Sequence, residues 1–177
     1  KEYKIYRKYA SQKSKVTHIF LQQYLNNTPI HQAEIRLHWS EKMGWILTQN
    51  TFVKQLSKKN TSSFVSQNPI ESLKYACTAL NIKYTKTSRR INNEQNIYMY
   101  DADFSRDLIP IMRSYVYDNG QLKSAADITI YEKGGSNCWN VLIEHETGEL
   151  LRKYNLVMHC TFNSNISYSH EYNEYKS

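Results

Sequence analysis

Six histidines and three cysteines are the side chains best suited to hold a metal, and their spacing argues against a metal centre. A zinc site needs several thiolate or imidazole ligands converging on one ion, and the chain has no CxxC, HExxH or HxH pattern. His159 and Cys160 are adjacent, but neighbours in a strand point to opposite faces, so this pair does not easily close a site. A Cys/His nucleophilic pair would have to meet in space, and buried inert thiols are the expectation for the cysteines. Gly134 and Gly135 lack the third glycine and the helix pattern of a phosphate loop, and there is no GxxxxGK[ST]. Glu144, Glu146 and Glu149 read as a solvated acidic edge. The many tyrosines and the basic charge invite comparison with rolling-circle initiators, which need a histidine pair for the metal beside the nucleophile. That pair is missing. The expectation is a non-enzyme, with no catalytic residue, no cofactor and no metal.

Binding chemistry is better represented. Lys83, Lys86, Arg89 and Arg90, with Tyr84 interleaved, could set cations and one aromatic face along a phosphate backbone or a partner surface. A second basic cluster, from Lys1 to Lys15, reads as a solvated linker and first-turn face. Trp39, Trp45 and Trp139 are expected in the core or between modules. The formal charge of +7 over 177 residues favours acidic partners, nucleic acid first. Fifteen tyrosines against five phenylalanines suit half-buried and interface positions. Cys77, Cys138 and Cys160 are odd in number and widely spaced, which points to reduced thiols inside the cell. No apolar run approaches the length of a membrane span, and no basic-then-apolar leader opens the chain. A start at Lys1 reads as a piece of a longer protein.

The elements that must position the basic residues are clearest over 68–100. Asn68 can cap a helix that starts on Pro69, where a first-turn proline loses no hydrogen bond. Ile70, Leu73, Ala76, Cys77 and Leu80 then follow at spacings of three and four, an amphipathic stripe. Strand types occupy 82–87, a turn falls near Asn92 and Asn93, and 96–100 returns as the second strand. A helix over 11–25 carries Val16, Ile19, Phe20 and Tyr24. The run 30–39 fits either strand alternation or a helix, with helix favoured. Residues 44–47 read as extended or a helix end, and a short helix opens near Asn50 with Phe52, Val53 and Leu56 inward. In the second half a helix covers 103–116, interrupted or kinked at Pro110. Asn119 and Gly120 signal a turn, and 127–131 a short strand. Helices then carry Trp139, Leu142 and Ile143, and Leu150, Leu151 and Tyr154, before a hairpin over 156–172. The expected fold is α+β: two tandem winged-helix modules, residues 1–102 and 103–177, each a small helical bundle with a β-hairpin wing.

The run 74–80, the basic hairpin, the segment 96–100 and the segment 107–112 together resemble the carboxy-terminal tandem winged-helix region of the Stn-type subunit of the CST telomere complex. Residues 11–15 and 22–24 also look like the first helices of that region. The composition would suit a ciliate version, in which the subunit belongs to the telomerase holoenzyme. Pro110 and the second hairpin depart from the pattern. The resemblance implies a non-enzymatic adaptor in the nucleus, at telomeres, whose single-strand-binding OB domain lies upstream. It would dock partner subunits and help recruit DNA polymerase α–primase for complementary-strand synthesis. The alternative is a direct DNA-binding winged-helix regulator that uses the basic wing. In either case Lys83, Tyr84, Lys86, Arg89 and Arg90 are the candidate contacts.

Overall fold

A computed structural model describes residues 2–56, 59, 61, 68–90, 97–135 and 137–157. Among them lie ten strands and one helix: β1 (Tyr3–Ala10), β2 (Thr17–Leu25), β3 (Thr28–Ser40), β4 (Gly44–Asn50), α1 (Pro69–Leu80), β5 (Thr87–Arg90), β6 (Ile97–Ala102), β7 (Ile109–Asp118), β8 (Gln121–Tyr131), β9 (Cys138–Glu144) and β10 (Leu150–Asn155). The expected pair of winged-helix modules is therefore corrected to one large mixed sheet with a single short helix. Hydrogen bonding runs β1-β2-β3-β7-β8-β9-β10, with β4 added to β3 and the β5–β6 hairpin added to β7. The β6–β7 ladder crosses residues 102 and 103, where the second module was expected to begin.

Helix α1 is the element that local chemistry specifies. The Asn68 side chain accepts from the Ile70 amide at 3.1 Å, Pro69 opens the first turn, and Asn81 ends it in a left-handed conformation. Leu73, Ala76, Cys77 and Leu80 bury themselves against Tyr100 and Ile109 and against alternate residues of β8 and β9, among them Ile128, Ile130, Val141 and Ile143. The opposite face of this sheet packs Val116, Ala125 and Leu142 under Leu151 and Tyr154.

The remaining helix expectations give way to strands for identifiable reasons. Residues 11–25 begin with a tight turn, in which the Lys15 amide donates to the Ser11 carbonyl at 2.9 Å, and continue as β2. The run 30–39 follows its alternation and forms β3. Residues 44–47 are extended, and 51–56 form a turn that still buries Val53 and Leu56. Where a helix was expected over 103–116, β7 stands; its pairing with β8 starts at Ile111, so Pro110 removes no rung from that ladder. Val141, Leu142 and Ile143 are buried on both sides of the sheet, and such a run shows no period of two. Leu150, Leu151 and Tyr154 lie on β10, not a helix. The turn at Asn119 and Gly120 joins β7 to β8 as expected, and the strand expected over 127–131 is part of β8. The turn at Asn92 and Asn93, the pair His159–Cys160 and most of the hairpin over 156–172 lie outside the described residues.

One joint sets the geometry of everything on the N-terminal side. Between the pairs Gln22↔Glu34 and Tyr24↔Pro29, β2 advances by two residues and β3 by five, a wide bulge with Gln32 at φ 56°. Side chains satisfy its carbonyls. The Gln22 amide donates to the Ile30 oxygen at 2.6 Å and the Ala33 oxygen at 3.0 Å, and the Thr51 hydroxyl donates to the Gln32 oxygen at 2.6 Å. Gln23, which is buried, donates to the Val53 oxygen at 3.1 Å and accepts from the Val53 amide at 2.7 Å. The bulge turns Ile30 and Ala33 into a small core with Val53, Leu56, Tyr115 and Leu122, while Ile30 pairs with Tyr115 of β7.

Two stability outcomes follow from this packing. Gln23→Ala leaves both polar groups of Val53 without a partner, so it should cost about 2–4 kcal/mol in a urea melt. His145 is 5% exposed, and burial, with Arg113 adding to it, pushes its pKa down to about 4 from 6.5. The unfolded chain takes up that proton first, so the stabilisation is complete above pH 6.5 and is lost between there and about pH 4. The loss should be on the order of 2 kcal/mol once solvent screening is allowed for, and His145→Gln should flatten that part of the pH profile.

Candidate protein-docking surface

Beyond the bulge, β1, β2, β4 and the outer part of β3 form a four-stranded arm. Its residues are almost all exposed or half-buried; every residue of β1 is exposed. Register assigns its two faces, because directly opposed residues share a side. On one face Ile5 stands beside Leu21 and Ile35, Ile19 beside Leu37 and Leu47, and Trp39 beside Trp45. The two indole rings confirm the register, with centroids 6.5 Å apart. Ile5, Leu47 and Trp45 are 57%, 56% and 62% exposed, and none of this face belongs to a buried core cluster among the described residues.

The opposite face is aromatic and basic. Tyr9 lies flat on His18 at 4.7 Å, and the edge of Tyr6 meets Phe20 at 6.0 Å. Arg7 lies over both Tyr9 and Phe20, and Arg36 covers Phe20 while pairing with Glu34 at 3.1 Å. These rings are engaged by one another and by guanidinium groups, so they are not open platforms for a stacked base. At the far end, the loops after β1 and β3 enclose a cleft of about 710 Å³ lined by Val16, Trp39 and Met43, with Lys15, Lys42 and Glu41 at its polar side. Over residues 2–50 there are seven Lys and Arg against three Glu and no Asp.

The expected basic wing is partly assembled. The hairpin β5–β6 exists, but Lys83 and Lys86 fall in the exposed segment before β5, not on it. Tyr84 packs against the core under α1, and its hydroxyl meets that of Thr87 at 3.0 Å. Arg89 lies over the Tyr98 ring at 5.0 Å, and Arg90 is paired with Asp101. As neighbours in a strand, Arg89 and Arg90 point to opposite faces, so the five residues form no single row. The expected acidic edge is also rearranged: Glu144 is buried, accepting from Thr147 at 2.5 Å and pairing with Lys123 at 3.5 Å, while Lys123 also reaches Glu149. Cys77 and Cys138 are buried free thiols, and burial raises the Cys77 pKa to about 11. Among the described residues no group of three or more His, Cys, Asp or Glu could hold a metal, and no helix is long and apolar enough to cross a membrane.

The arm escapes the sequence reading because 11–25 and 30–39 read as helices with buried faces, 44–47 as extended or a helix end, and the tryptophans as core or inter-module residues. The signal was present in the alternation of Ile35, Leu37 and Trp39 and again of Trp45 and Leu47. No protein-family model matches the chain, and comparison with curated proteins finds no match.

If the apolar row belongs to no core, its truncation costs little. Trp45→Ser with Leu47→Ser should change stability by no more than about 0.5 kcal/mol per site, whereas Ile30→Ala at the joint should cost about 2–5 kcal/mol. Urea melts of the two variants measure the contrast.

Proposed function

We propose that the chain is a non-catalytic interaction module whose docking element is the β1–β4 arm, and that its partner is a protein surface with an apolar centre and an acidic rim. The observation that carries this reading is the row from Ile5 to Trp45, which joins no buried core among the described residues. Large contiguous apolar patches on soluble proteins mark interaction sites, and Trp and Tyr are favoured at such contacts. Charge complementarity selects the partner: Lys8 stands within the apolar face, beside Ile19, and Lys15 and Lys42 border its far end. A second copy would bring another chain of +7 against the same basic arm, which electrostatics opposes. The narrower expectation, a telomere-maintenance complex recruiting DNA polymerase α–primase, draws on tandem winged-helix units that this sheet does not contain. The docking reading is independent of that setting.

A photoreactive residue placed at Leu47 in the source cells, followed by purification of the adduct, tests the proposal. The expected result is one protein adduct, with affinity that falls at least tenfold on Trp45→Ser with Leu47→Ser and weakens with salt. Reversing Arg89 and Arg90 should leave that affinity unchanged. An adduct with a second copy would overturn the choice of partner. Tight oligonucleotide binding by the isolated chain, with a steep salt slope and loss on reversing Arg89 and Arg90, would overturn the docking reading in favour of the basic wing.

A further inference from the structure

His18 of β2 and His38 of β3 stand directly opposite each other, with their Nδ1 atoms 2.7 Å apart. His38 Nε2 lies 2.8 Å from the Thr48 hydroxyl of β4, and that hydroxyl lies 3.3 Å from the Arg36 carbonyl of β3. The proton positions in this chain follow from its end. A carbonyl can only accept, so in the arrangement where Thr48 donates to Arg36 its hydroxyl accepts from His38 Nε2–H. His38 Nδ1 then carries the lone pair, and the proton between the rings belongs to His18 Nδ1. The neutral pair is thus one relay running from β2 through β3 to β4.

Protons can be added to this arrangement in only one tolerated way. The first goes to His18 Nε2 and leaves every contact intact. The second has only His38 Nδ1 to bind, where it would face the His18 Nδ1 proton across the same short gap. The groups around the pair give a second proton little help. From β1 the neighbours are Tyr9, flat on His18, and Arg7 beyond it; from β3 they are Arg36 and the Glu34 that Arg36 already neutralises. β4 contains no titratable residue.

We infer that the arm is acid-sensitive: when both His18 and His38 are protonated the relay opens, β4 loosens from β3, and the docking face that includes Trp45 and Leu47 loses its shape. The link to docking rests on the function proposed above, but the opening itself belongs to the isolated chain and is measured there. The ordinary imidazole range, about pH 8 to pH 5, overlaps the acid loss tied to His145, so the two effects are separated in a His145→Gln chain.

The experiment is a pH series on the whole chain, following imidazole ¹⁵N shifts and amide exchange together. At pH 8 the shifts should show protonated His18 Nδ1 and bare His38 Nδ1. At the acid end of the series, where the shifts show both rings protonated, amides of β4 in the His145→Gln chain should exchange at least tenfold faster than at pH 8 after correction for intrinsic rates, with those of α1 unchanged. His38→Asn should remove this pH dependence, and Thr48→Val should loosen β4 already at neutral pH. A β4 exchange profile flat with pH, or one that persists in His38→Asn, would overturn the inference. If β4 opens but the partner found through Leu47 binds equally well at both values, the link to docking fails while the relay stands. If no partner is found, the relay result is unaffected and only the function proposed above is lost.

Discussion

Everything on the N-terminal side of this protein depends on how the carbonyls of residues 30–33 are satisfied. At the wide bulge β3 stops matching β2 rung for rung, and three backbone oxygens lose their ladder partners. Gln22 and Thr51 supply side-chain donors to all three. Ile30 and Ala33 are buried, and leaving either oxygen without a partner costs about 1–3 kcal/mol, so the strand makes this turn with the Gln22 donor in place. With them in place, Ile30 and Ala33 enter a core and the outer half of β3 leaves for the arm. One strand thereby serves two structures, the helix-covered sheet and a meander that no described element covers.

The two differ in what holds them. The body has apolar residues on both faces of β8 and β9, a capped helix over one face, and ion pairs such as Arg152 with Asp118 at its edge. The arm holds together through ladders, ring contacts and cation–π pairs, with little buried apolar area of its own. A region with few buried contacts opens more readily than the body it is attached to. That contrast suits an element that completes its packing on something else, and it gives a pair of histidines enough leverage to matter.

Legibility in the sequence followed the range of the forces. Helix α1 could be placed to the residue, because an Asn cap, a Pro at the first turn and an apolar stripe all act within a few positions. The turn at Asn119 and Gly120 was legible for the same reason. The β5–β6 pairing is visible in outline, but the segment from Lys83 to Lys86 reads as strand, whereas Tyr84 packs on the core, Thr85 bonds Asp103 and the two lysines stay exposed. In β9 and the outer half of β7 burial on both faces erases alternation, so apolar residues three apart mimic a helical stripe. Strand β10, none of whose residues is fully buried, carries Leu150, Leu151 and Tyr154 at a similar spacing. The candidate site was harder still. A sheet face with no cover has the same local pattern as one that packs on a core, and only the register across β1–β4 distinguishes them. Gln22 and Gln23 carried no signal at all, since their role exists only where β3 bulges.

The three tryptophans divide between these two parts, and that division has an optical meaning. Trp139 donates to Glu132 at 2.7 Å and lies under Lys153, fixed in the body. Trp39 and Trp45 sit together at the end of the arm, open to water. The emission of this protein is therefore a superposition of a shielded fluorophore and a solvent-relaxed pair, separable by quenchers without any label. Whatever seats itself on the arm will shift the red component toward the blue and leave the other where it is.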